Sequence, residues 1–526
     1  MKTEKREHEE PGSVLLRGIF KLGKISHDVL LTSTSVSWTP ITPDNPTGYR
    51  LVTMAAISPD NPTGEQGSER GSHRVWLRDV FAVKVKRRRA AGQQTGGAVL
   101  GLCLFCSHRT GNTLQEVRTH LLNTSLSLCH TWVTQLTQLL TVLPRPKQLK
   151  VFINPGSHKK QSVLIYREHI APLFRMADIH TDITITERKG HILMVVKECS
   201  LTQYDGVVCV GGDGTVAELA HALVLRAQLE SQRDPDCDLN PVQATLPLGI
   251  IPAGSTDIIS CSVHGVRHPI TAALHIILGH LQQVDMCSFS SLGRLLTFGF
   301  SAMFGFGGRS LALAERNRWM PPSQRRDYAL AKTVASLRPE ECHLSFLPVN
   351  QKHKSGKRRS KEQDAATGLS WETKPGVYLS ISIMSIPSLT PHAPRGLAPN
   401  TRLTNGSAEL ITVGNASRSE FIRHLKRYSC PDEQSSLSFV ETRSVTAVKL
   451  RPYGLVGSPG KGEKEEATSG DDSEGSFPWN IDGELVEMAH EVVVRFSVFR
   501  VHSRLISLYG EDVEKVDSPV MSCSCI

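Results

Sequence analysis

The most informative segment of the sequence is Val207-Val-Cys-Val-Gly-Gly-Asp-Gly-Thr-Val-Ala-Glu218, in which an apolar run meets glycines and then a helix-forming segment. Glycines between a buried strand and a helix let the backbone approach a phosphate, and the helix N-terminus adds N–H donors. An Asp in such a turn can accept a proton from a substrate hydroxyl or help to position a metal–phosphate group. The alternative is a tight turn whose Asp caps the helix, and spacing alone does not separate the two.

Strands and helices alternate on both sides of this turn. Leu149–Ile153 is a short buried-type strand followed by a helix from about Gln161, and Leu248–Ile251 is another strand that ends in Pro252-Ala-Gly-Ser-Thr256. This alternation predicts a parallel α/β sheet with its ligand edge at the C-termini of the strands. We expect residues 147–288 to form this α/β domain.

The chain before this region is predicted to be a β-rich module over residues 14–143. Trp132, Leu136, Leu139 and Leu140 fall on one helical face at its end. Strands closed by one amphipathic helix are the layout of a pleckstrin-homology-like domain, although many small β modules share it. The stretches with strand character are Val14–Phe20, Val29–Trp38, Arg74–Val85 and Ala98–Cys106.

The chain after the α/β region is strand-rich over residues 289–510. Two polar inserts interrupt it, at 351–370 and 457–476, and both lack the apolar content to fold alone. We predict disorder for these inserts and for residues 1–13, and a flexible tail for residues 511–526.

The composition is that of a folded protein with a local excess of positive charge. Of 526 residues, 39% are hydrophobic and 21% charged, which excludes fibrous and wholly disordered classes. The formal net charge of +9 comes from two basic runs, one between residues 352 and 361 and the other formed by Lys84, Lys86, Arg87, Arg88 and Arg89. Such runs serve nuclear import or bind anionic lipid, or they are simply solvated. No aromatic residues interleave with them, so no direct nucleic-acid partner is expected.

Compartment and metal content follow from what the sequence lacks. Its start has no apolar core typical of a signal peptide, and no apolar run approaches the roughly 18 residues that span a bilayer. The cysteines are too sparse for a disulfide scaffold, and Cys103-Leu-Phe-Cys106 has no second pair at zinc-site spacing. We expect a cytoplasmic and nuclear protein with peripheral membrane association and no structural metal.

Five motifs in a fixed order carry a family resemblance, namely Asn154-Pro155, Thr186-Glu187, Gly211-Gly-Asp-Gly214, Pro252-Ala-Gly-Ser-Thr256 and Asn480-Ile-Asp-Gly-Glu484. This set resembles the diacylglycerol-kinase catalytic-domain family of lipid kinases, and within it the ceramide kinase branch. The resemblance covers residues from about 147 to 510, and the N-terminal module fits the pleckstrin-homology domain of that branch.

The resemblance implies an α/β nucleotide-binding domain and a β-sandwich domain, with ATP, Mg²⁺ and a lipid hydroxyl meeting between them. By position, Asp213 matches the general base that assists attack of a primary alcohol on the γ-phosphate. No direct protein cage for the metal is implied. The positions that match nucleotide contacts are Asn154, Pro155, Gly156, Thr186, Gly211, Gly212, Gly214, Thr215, Gly254, Ser255, Thr256, Asp482 and Glu484.

Three departures from the family pattern put its activity in doubt. His158 and Lys159 replace glycines after Asn-Pro, Arg309 falls where ceramide and sphingosine kinases carry a substrate-contacting Asp, and Asn405 replaces another Asp. Two hypotheses remain. The favoured one is a fold kept for lipid binding or regulation, with little or no ceramide phosphorylation. The other is an active ATP-dependent kinase of ceramide or a related lipid alcohol.

Overall fold

The computed structural model describes two compact units. The first comprises most of the chain up to Arg145, and the second begins at Pro146. Residues 1–12, residues 517–526 and nearly all of both predicted inserts lie outside the described residues. The residues described are 13–41, 73–93, 95–157, 161–236, 240–291, 293–349, 370–429, 437–453, 476–489 and 497–516.

The first unit is an antiparallel sheet followed by one helix, α1 (Leu126–Thr141). The strand order in the sheet is β4-β3-β2-β1-β7-β6-β5. Trp132 of α1 packs edge-on against Phe20, with 5.1 Å between ring centroids, so the apolar face of the helix closes the core. The strands are β1 (Val14–Leu22), β2 (Ile25–Thr32), β3 (Ser35–Pro40), β4 (His73–Trp76), β5 (Val80–Arg87), β6 (Val99–Thr110) and β7 (Thr113–Leu122).

The β-rich module with its terminal helix is confirmed, but two of its predicted strands are interrupted. Val29–Trp38 breaks because the Thr32 hydroxyl accepts the amides of Thr34 and Ser35, at 3.3 and 3.0 Å, which turns the chain between β2 and β3. Arg74–Val85 breaks at a 3-10 turn over Leu77–Asp79. Strand β7 was not predicted, because its outward side chains are mostly polar.

Arg145, at the end of the first unit, fastens that 3-10 turn to the core. Its guanidinium donates to the carbonyl oxygens of Leu77 (3.2 Å), Arg78 (2.7 Å) and Val80 (2.6 Å). Hydrogen bonds from a charged donor are stronger than neutral ones, so losing this donor removes three of the stronger contacts of the turn.

The second unit starts as the predicted parallel α/β sheet. Its strands β8 (Gln148–Ile153), β9 (His180–Ile185), β10 (Gly206–Gly211) and β11 (Leu248–Pro252) run in the order β9-β8-β10-β11. A π-helical segment over Tyr166–Ile170 lies between the first two helices of this unit, α2 and α3. The helices are α2 (Ser162–Ile165), α3 (Ala171–Met176), α4 (His191–Glu198), α5 (Asp213–Glu230), α6 (Ile258–His264) and α7 (Pro269–Leu278).

The remaining strands form a β-rich region whose long strands change partners along their length. For example, β16 (Glu372–Met384) pairs with β15 (Glu340–Pro348) near its start and with β14 (Ser301–Gly305) near its end. The helices of this region are α8 (Phe306–Arg316), α9 (Pro322–Ala335) and α10 (Arg418–Lys426). The other strands are β12 (Leu281–Ser291), β13 (Arg294–Gly299), β17 (Ala408–Gly414), β18 (Val440–Pro452), β19 (Ser476–Ile481), β20 (Glu484–Ala489) and β21 (Ser497–Tyr509).

Strand β21 connects the two parts of the second unit into one hydrogen-bonded sheet. It pairs with β12 and β18, and its Leu508 lies in parallel register with Leu248 of β11. The predicted boundary near residue 288 therefore does not separate the sheets, because the end of the chain returns to the α/β strands. Within the described part of the chain, none of the helices has the length and apolarity needed to cross a membrane.

Replacing Arg145 by Ala should destabilise the first unit by about 2–3 kcal/mol, because three carbonyl groups lose a charged donor. Chemical unfolding followed by tryptophan fluorescence measures the change. Arg88→Ala, which removes an exposed guanidinium from the same unit, is the matched control and should leave the free energy of unfolding within about 0.5 kcal/mol. Equal losses in both variants would contradict the role of Arg145.

Candidate active site

The loops after β10 and β11 touch through their glycines. A Cβ added to Gly254 would lie 2.6 Å from the Cα of Gly212, and one on Gly211 would lie 2.9 Å from the Cβ of Thr215. Neither position has room for a side chain, so the two loops can meet only as bare backbone. This contact brings the Gly-Gly-Asp-Gly turn and the Pro252–Thr256 loop to the same sheet edge, as the sequence predicted.

Asn154 joins the loop after β8 to the first turn of α5. Its Nδ2 donates to Thr215 Oγ1 at 2.9 Å, and its Oδ1 accepts the amide of Gly156 at 3.0 Å. Thr186 follows β9, and its amide donates to the carbonyl of Ile153 at 2.9 Å. Three of the predicted motifs therefore lie side by side at the C-terminal edge of the sheet.

A cavity of about 860 Å³ opens at this edge. Seven of the positions predicted to contact a nucleotide line it, namely Asn154, Pro155, Gly156, Thr186, Gly214, Thr215 and Glu484. Arg188 and Lys189, which directly follow the Thr186-Glu187 motif, also line it. The motifs assign no role to the charged lining residues other than Glu484. These are Glu187, Arg188, Lys189, Glu218, Glu315 and Arg318.

Two carboxylates from opposite walls of this cavity influence each other. Burial raises the pKa of Glu218, and the neighbouring Glu484 charge raises it further. Glu484 also pairs with Lys189 at 3.1 Å. Carboxylate oxygens are the donors that Mg²⁺ prefers, and a cation would relieve this repulsion, so the residues present fit a magnesium ion held by one or two carboxylates and by phosphate.

The Pro252–Thr256 loop is held by an ion pair between the buried Asp257 and the partly exposed Arg267, which no motif predicted. The Asp257 carboxylate accepts the Gly254 amide at 2.8 Å and the Arg267 Nε at 2.6 Å. Gly254, Ser255 and Thr256 do not line the described part of the larger cavity. Their support for it is indirect, through the contact between Gly254 and Gly212.

Asp213 begins α5, and its carboxylate lies against the start of α6. Its Oδ1 accepts the amide of Ile259 at 3.0 Å. Burial raises the pKa of Asp213 to about 6, and the nearby Asp257 charge adds to the rise. Among the described residues, Gly214 and Thr215 line the larger cavity and Asp213 does not.

Asp482 is buried and binds the backbone at the start of β14. Its Oδ2 accepts the amide of Phe300 at 2.7 Å, and its Oδ1 accepts the amide and hydroxyl of Ser301 at 2.7 and 2.9 Å. Burial raises its pKa to about 7, and Asp213 adds to the rise. Asp482 lines a second cavity of about 390 Å³ together with Glu484 and His221, so the predicted acidic pair is divided between backbone anchoring and the larger cavity.

Arg309 differs most from its predicted surroundings. It lies in the first turn of α8, and its guanidinium pairs with Glu340 and donates to the carbonyl of Arg338 at 2.7 Å. In the part of the chain that the structure describes, it lines neither cavity. Arg309 was expected at the substrate-contacting position; the structure instead pairs it with Glu340, which neutralises its charge. His158 and Lys159 lie outside the described residues.

The raised pKa of Asp213 makes stability depend on pH. Because its pKa of about 6 lies above the ordinary value of 3.8, the folded state holds this proton more tightly, and stability falls as pH rises from about 4 to about 6. Asp213→Asn keeps the acceptor for Ile259 and removes the charge, so its melting temperature should fall less over that interval. Asp327→Asn, on the exposed face of α9, is the control and should follow the wild type. Parallel curves for Asp213→Asn and the wild type would contradict the assignment.

Comparisons with known proteins agree with the motifs. A model of the diacylglycerol kinase catalytic domain matches residues 148–289, and a model of the ceramide kinase C-terminal domain matches residues 300–526. A ceramide kinase-like protein of Homo sapiens is 45% identical, over 96% of this chain and 91% of that protein. Ceramide kinases of Homo sapiens and Mus musculus are 32% and 33% identical, each match covering 74% of this chain and 79% of the relative.

The family resemblance inferred from five short motifs is thus confirmed over nearly the whole chain. Four of those motifs lie at one edge of the parallel sheet, and the fifth contributes Glu484 to the cavity there. The β-rich region that follows matches the second family model. This chain belongs to the ceramide kinase-like family, with a lipid-kinase fold built from a diacylglycerol kinase-type catalytic domain and a ceramide kinase-type C-terminal domain.

Proposed function

We propose that this protein binds Mg²⁺–ATP and a lipid through its lipid-kinase fold, and that it transfers little or no phosphate to ceramide. The observation that carries the proposal is an asymmetry of the site. Seven of the predicted nucleotide-binding residues line one cavity, whereas the position of the substrate-contacting Asp holds Arg309, which is paired with Glu340. Its role would then be lipid binding or regulation.

The support for nucleotide binding is local and specific. Gly214 and Thr215 lie in the first turn of α5, where the positive end of the helix dipole favours phosphate. The volume of about 860 Å³ lies in the range of sites that accept ligands of nucleotide size. Glu218 and Glu484 would hold the magnesium ion, which supplies charge neutralisation for the phosphates when bound.

The support for weak transfer to ceramide lies at α8. An Asp at position 309 would offer acceptor oxygens to an amide or hydroxyl of a lipid head group, and a guanidinium offers only donors. The pairing with Glu340 also leaves that carboxylate engaged rather than available as a substitute acceptor. A lipid head group would therefore lack the acceptor that an Asp at position 309 supplies. The residues that line the larger cavity would be unaffected.

Asn154→Ala should weaken ATP binding by about tenfold, or about 1.4 kcal/mol, because it releases Thr215 and the Gly156 amide from their common partner. Calorimetric titration of the full chain with Mg²⁺–ATP measures the change. Gln148→Ala, at the exposed start of the same strand, is the control and should bind as the wild type does. Wild-type protein that neither binds ATP nor gains thermal stability from it would overturn the nucleotide site.

A second candidate function, an active kinase of ceramide or a related lipid alcohol, is favoured by Asp213. A carboxyl whose pKa is raised to about 6 is a better base than an ordinary Asp and is still ionised at neutral pH. The lipid hydroxyl would give its proton to Asp213 while its oxygen bonds to the γ-phosphorus, and the bond from that phosphorus to the β–γ bridging oxygen would break to leave ADP.

One assay separates the two functions. Transfer of labelled γ-phosphate is measured over ceramide, sphingosine and diacylglycerol in mixed micelles, with wild type and Asp213→Ala side by side. We expect no Asp213-dependent product although ATP binding is retained. Asp213-dependent phosphorylation of any of these lipids would overturn the first proposal and establish the second.

We also propose that the first unit is a pleckstrin-homology-like module that directs the protein to acidic membrane surfaces or to the nucleus. Arg88 and Arg89 are exposed at the end of β5, where anionic head groups or an import receptor could reach them. Lys84 forms an ion pair with Asp178, and Arg87 donates to the carbonyl of Gly97. Cytoplasmic and nuclear localisation with peripheral membrane association would follow.

A further inference from the structure

Three potential metal ligands converge away from the two cavities. His275 lies in the last turn of α7, His280 directly precedes β12, and Glu511 follows β21. One nitrogen or oxygen of each lies within 4.8 Å of the others. The Nδ1 atoms of the two histidines are 3.0 Å apart, and His280 Nδ1 is 3.5 Å from Glu511 Oε1.

Backbone hydrogen bonds hold these ligands in place. The His280 amide donates to the carbonyl of His275 at 3.1 Å, and the Gly510 amide donates to the carbonyl of His280 at 2.9 Å. The Glu511 amide donates to the carbonyl of Val263 at 2.9 Å. Gly510 is required for this approach, since its φ is +154° and a Cβ there would lie 2.4 Å from the Val263 oxygen. The three side chains are therefore preorganised by the fold.

A third histidine, which is also buried, lies against this cluster. The ring of His264 stacks on His275 with 5.2 Å between centroids. It is 1% exposed, and its Nδ1 has no hydrogen-bond partner among the described residues. A buried nitrogen without a partner is rare in folded proteins and often marks an absent ion or water.

We propose that His275, His280 and Glu511 bind a divalent transition-metal ion, with Zn²⁺ as the best match. Two imidazoles and a carboxylate are a common zinc donor set, whereas Mg²⁺ prefers oxygen ligands alone. Zinc–ligand bonds of about 2.0–2.2 Å fit the 3.0 Å between the two Nδ1 atoms and the 3.5 Å from His280 Nδ1 to Glu511 Oε1. Binding would replace the hydrogen bond between the two Nδ1 atoms, and the ring that donates this bond would carry its proton on Nε2 instead.

The ion would fasten the end of the chain to the α/β core. Glu511 introduces a segment whose Val513 and Val516 pack against Cys261 of α6 and against Leu389. A bond from Glu511 to α7 through the metal would add a cross-link beside that small apolar cluster. The site does not depend on the nucleotide cavity, and it departs from the expectation of no structural metal.

The test uses the full chain, stripped with chelator and titrated with Zn²⁺ by calorimetry and by metal analysis after dialysis. We expect one zinc equivalent that His280→Ala binds at least tenfold more weakly, with a loss of the zinc-induced rise in melting temperature. Glu511→Gln, which removes only a charge, should weaken binding as well and covers the case in which His280→Ala folds poorly. His108→Ala, an exposed histidine of the first unit, is the matched control.

Substitution with Co²⁺ provides a readout of the donor set. Visible absorption bands of a low-symmetry cobalt site should appear in the wild type and in His108→Ala, and should be lost in His280→Ala. Equal zinc stoichiometry and affinity in all variants would show that other groups, such as cysteine thiols, bind the metal, and would overturn the proposal. Absence of zinc binding in the wild type would overturn it too.

Discussion

The hydrogen bonds accepted by the Asp482 carboxylate fix the turn that forms part of the wall of the larger cavity. The carboxylate accepts the amides of Phe300 and Ser301 and thereby attaches the β19–β20 turn to the start of β14. Gly483 and Glu484, which follow directly, line the cavity wall opposite the α/β loops. Without this anchor, the turn would lose its position and Glu484 could not approach Gly214.

The turn is built for this contact at a conformational cost. Asp482 has a φ of +49°, which is unfavourable for a residue with a side chain, and Gly483 has a φ of +83°. Gly299 leaves the space, because a Cβ there would lie 2.3 Å from Asp482 Oδ2. Burial raises the pKa of Asp482 against the effect of three hydrogen bonds, so desolvation outweighs them. Asp482 therefore combines an unfavourable backbone conformation with a desolvated carboxylate at the turn that places Glu484 at the cavity.

The sequence predicted what is local and missed what depends on distant partners. The strand–turn–helix at Gly211–Gly214 was predictable because glycine spacing and apolar periodicity are encoded in neighbouring residues. The pairing of Arg309 with Glu340 was not, since it requires β15 to lie beside α8. The grouping of His275 with Glu511 was hidden for the same reason, because almost half of the chain separates them. Family resemblance located Asp213 but could not show that Ile259 binds it.

The three departures from the family pattern carry different weight once their places are known. Asn405 lines neither cavity among the described residues, and the adjacent Gly406 amide is held by the buried Asp285 at 2.6 Å. The Asn405 side chain lies within its own turn, close to Arg402 and Ser407, so Asn suits this turn irrespective of catalysis. Arg309 has its own counter-ion, and its effect is the loss of an acceptor rather than an added charge. The proposal of weak phosphate transfer to ceramide accordingly depends on Arg309 in α8. Seven of the positions that the motifs predict still line the larger cavity.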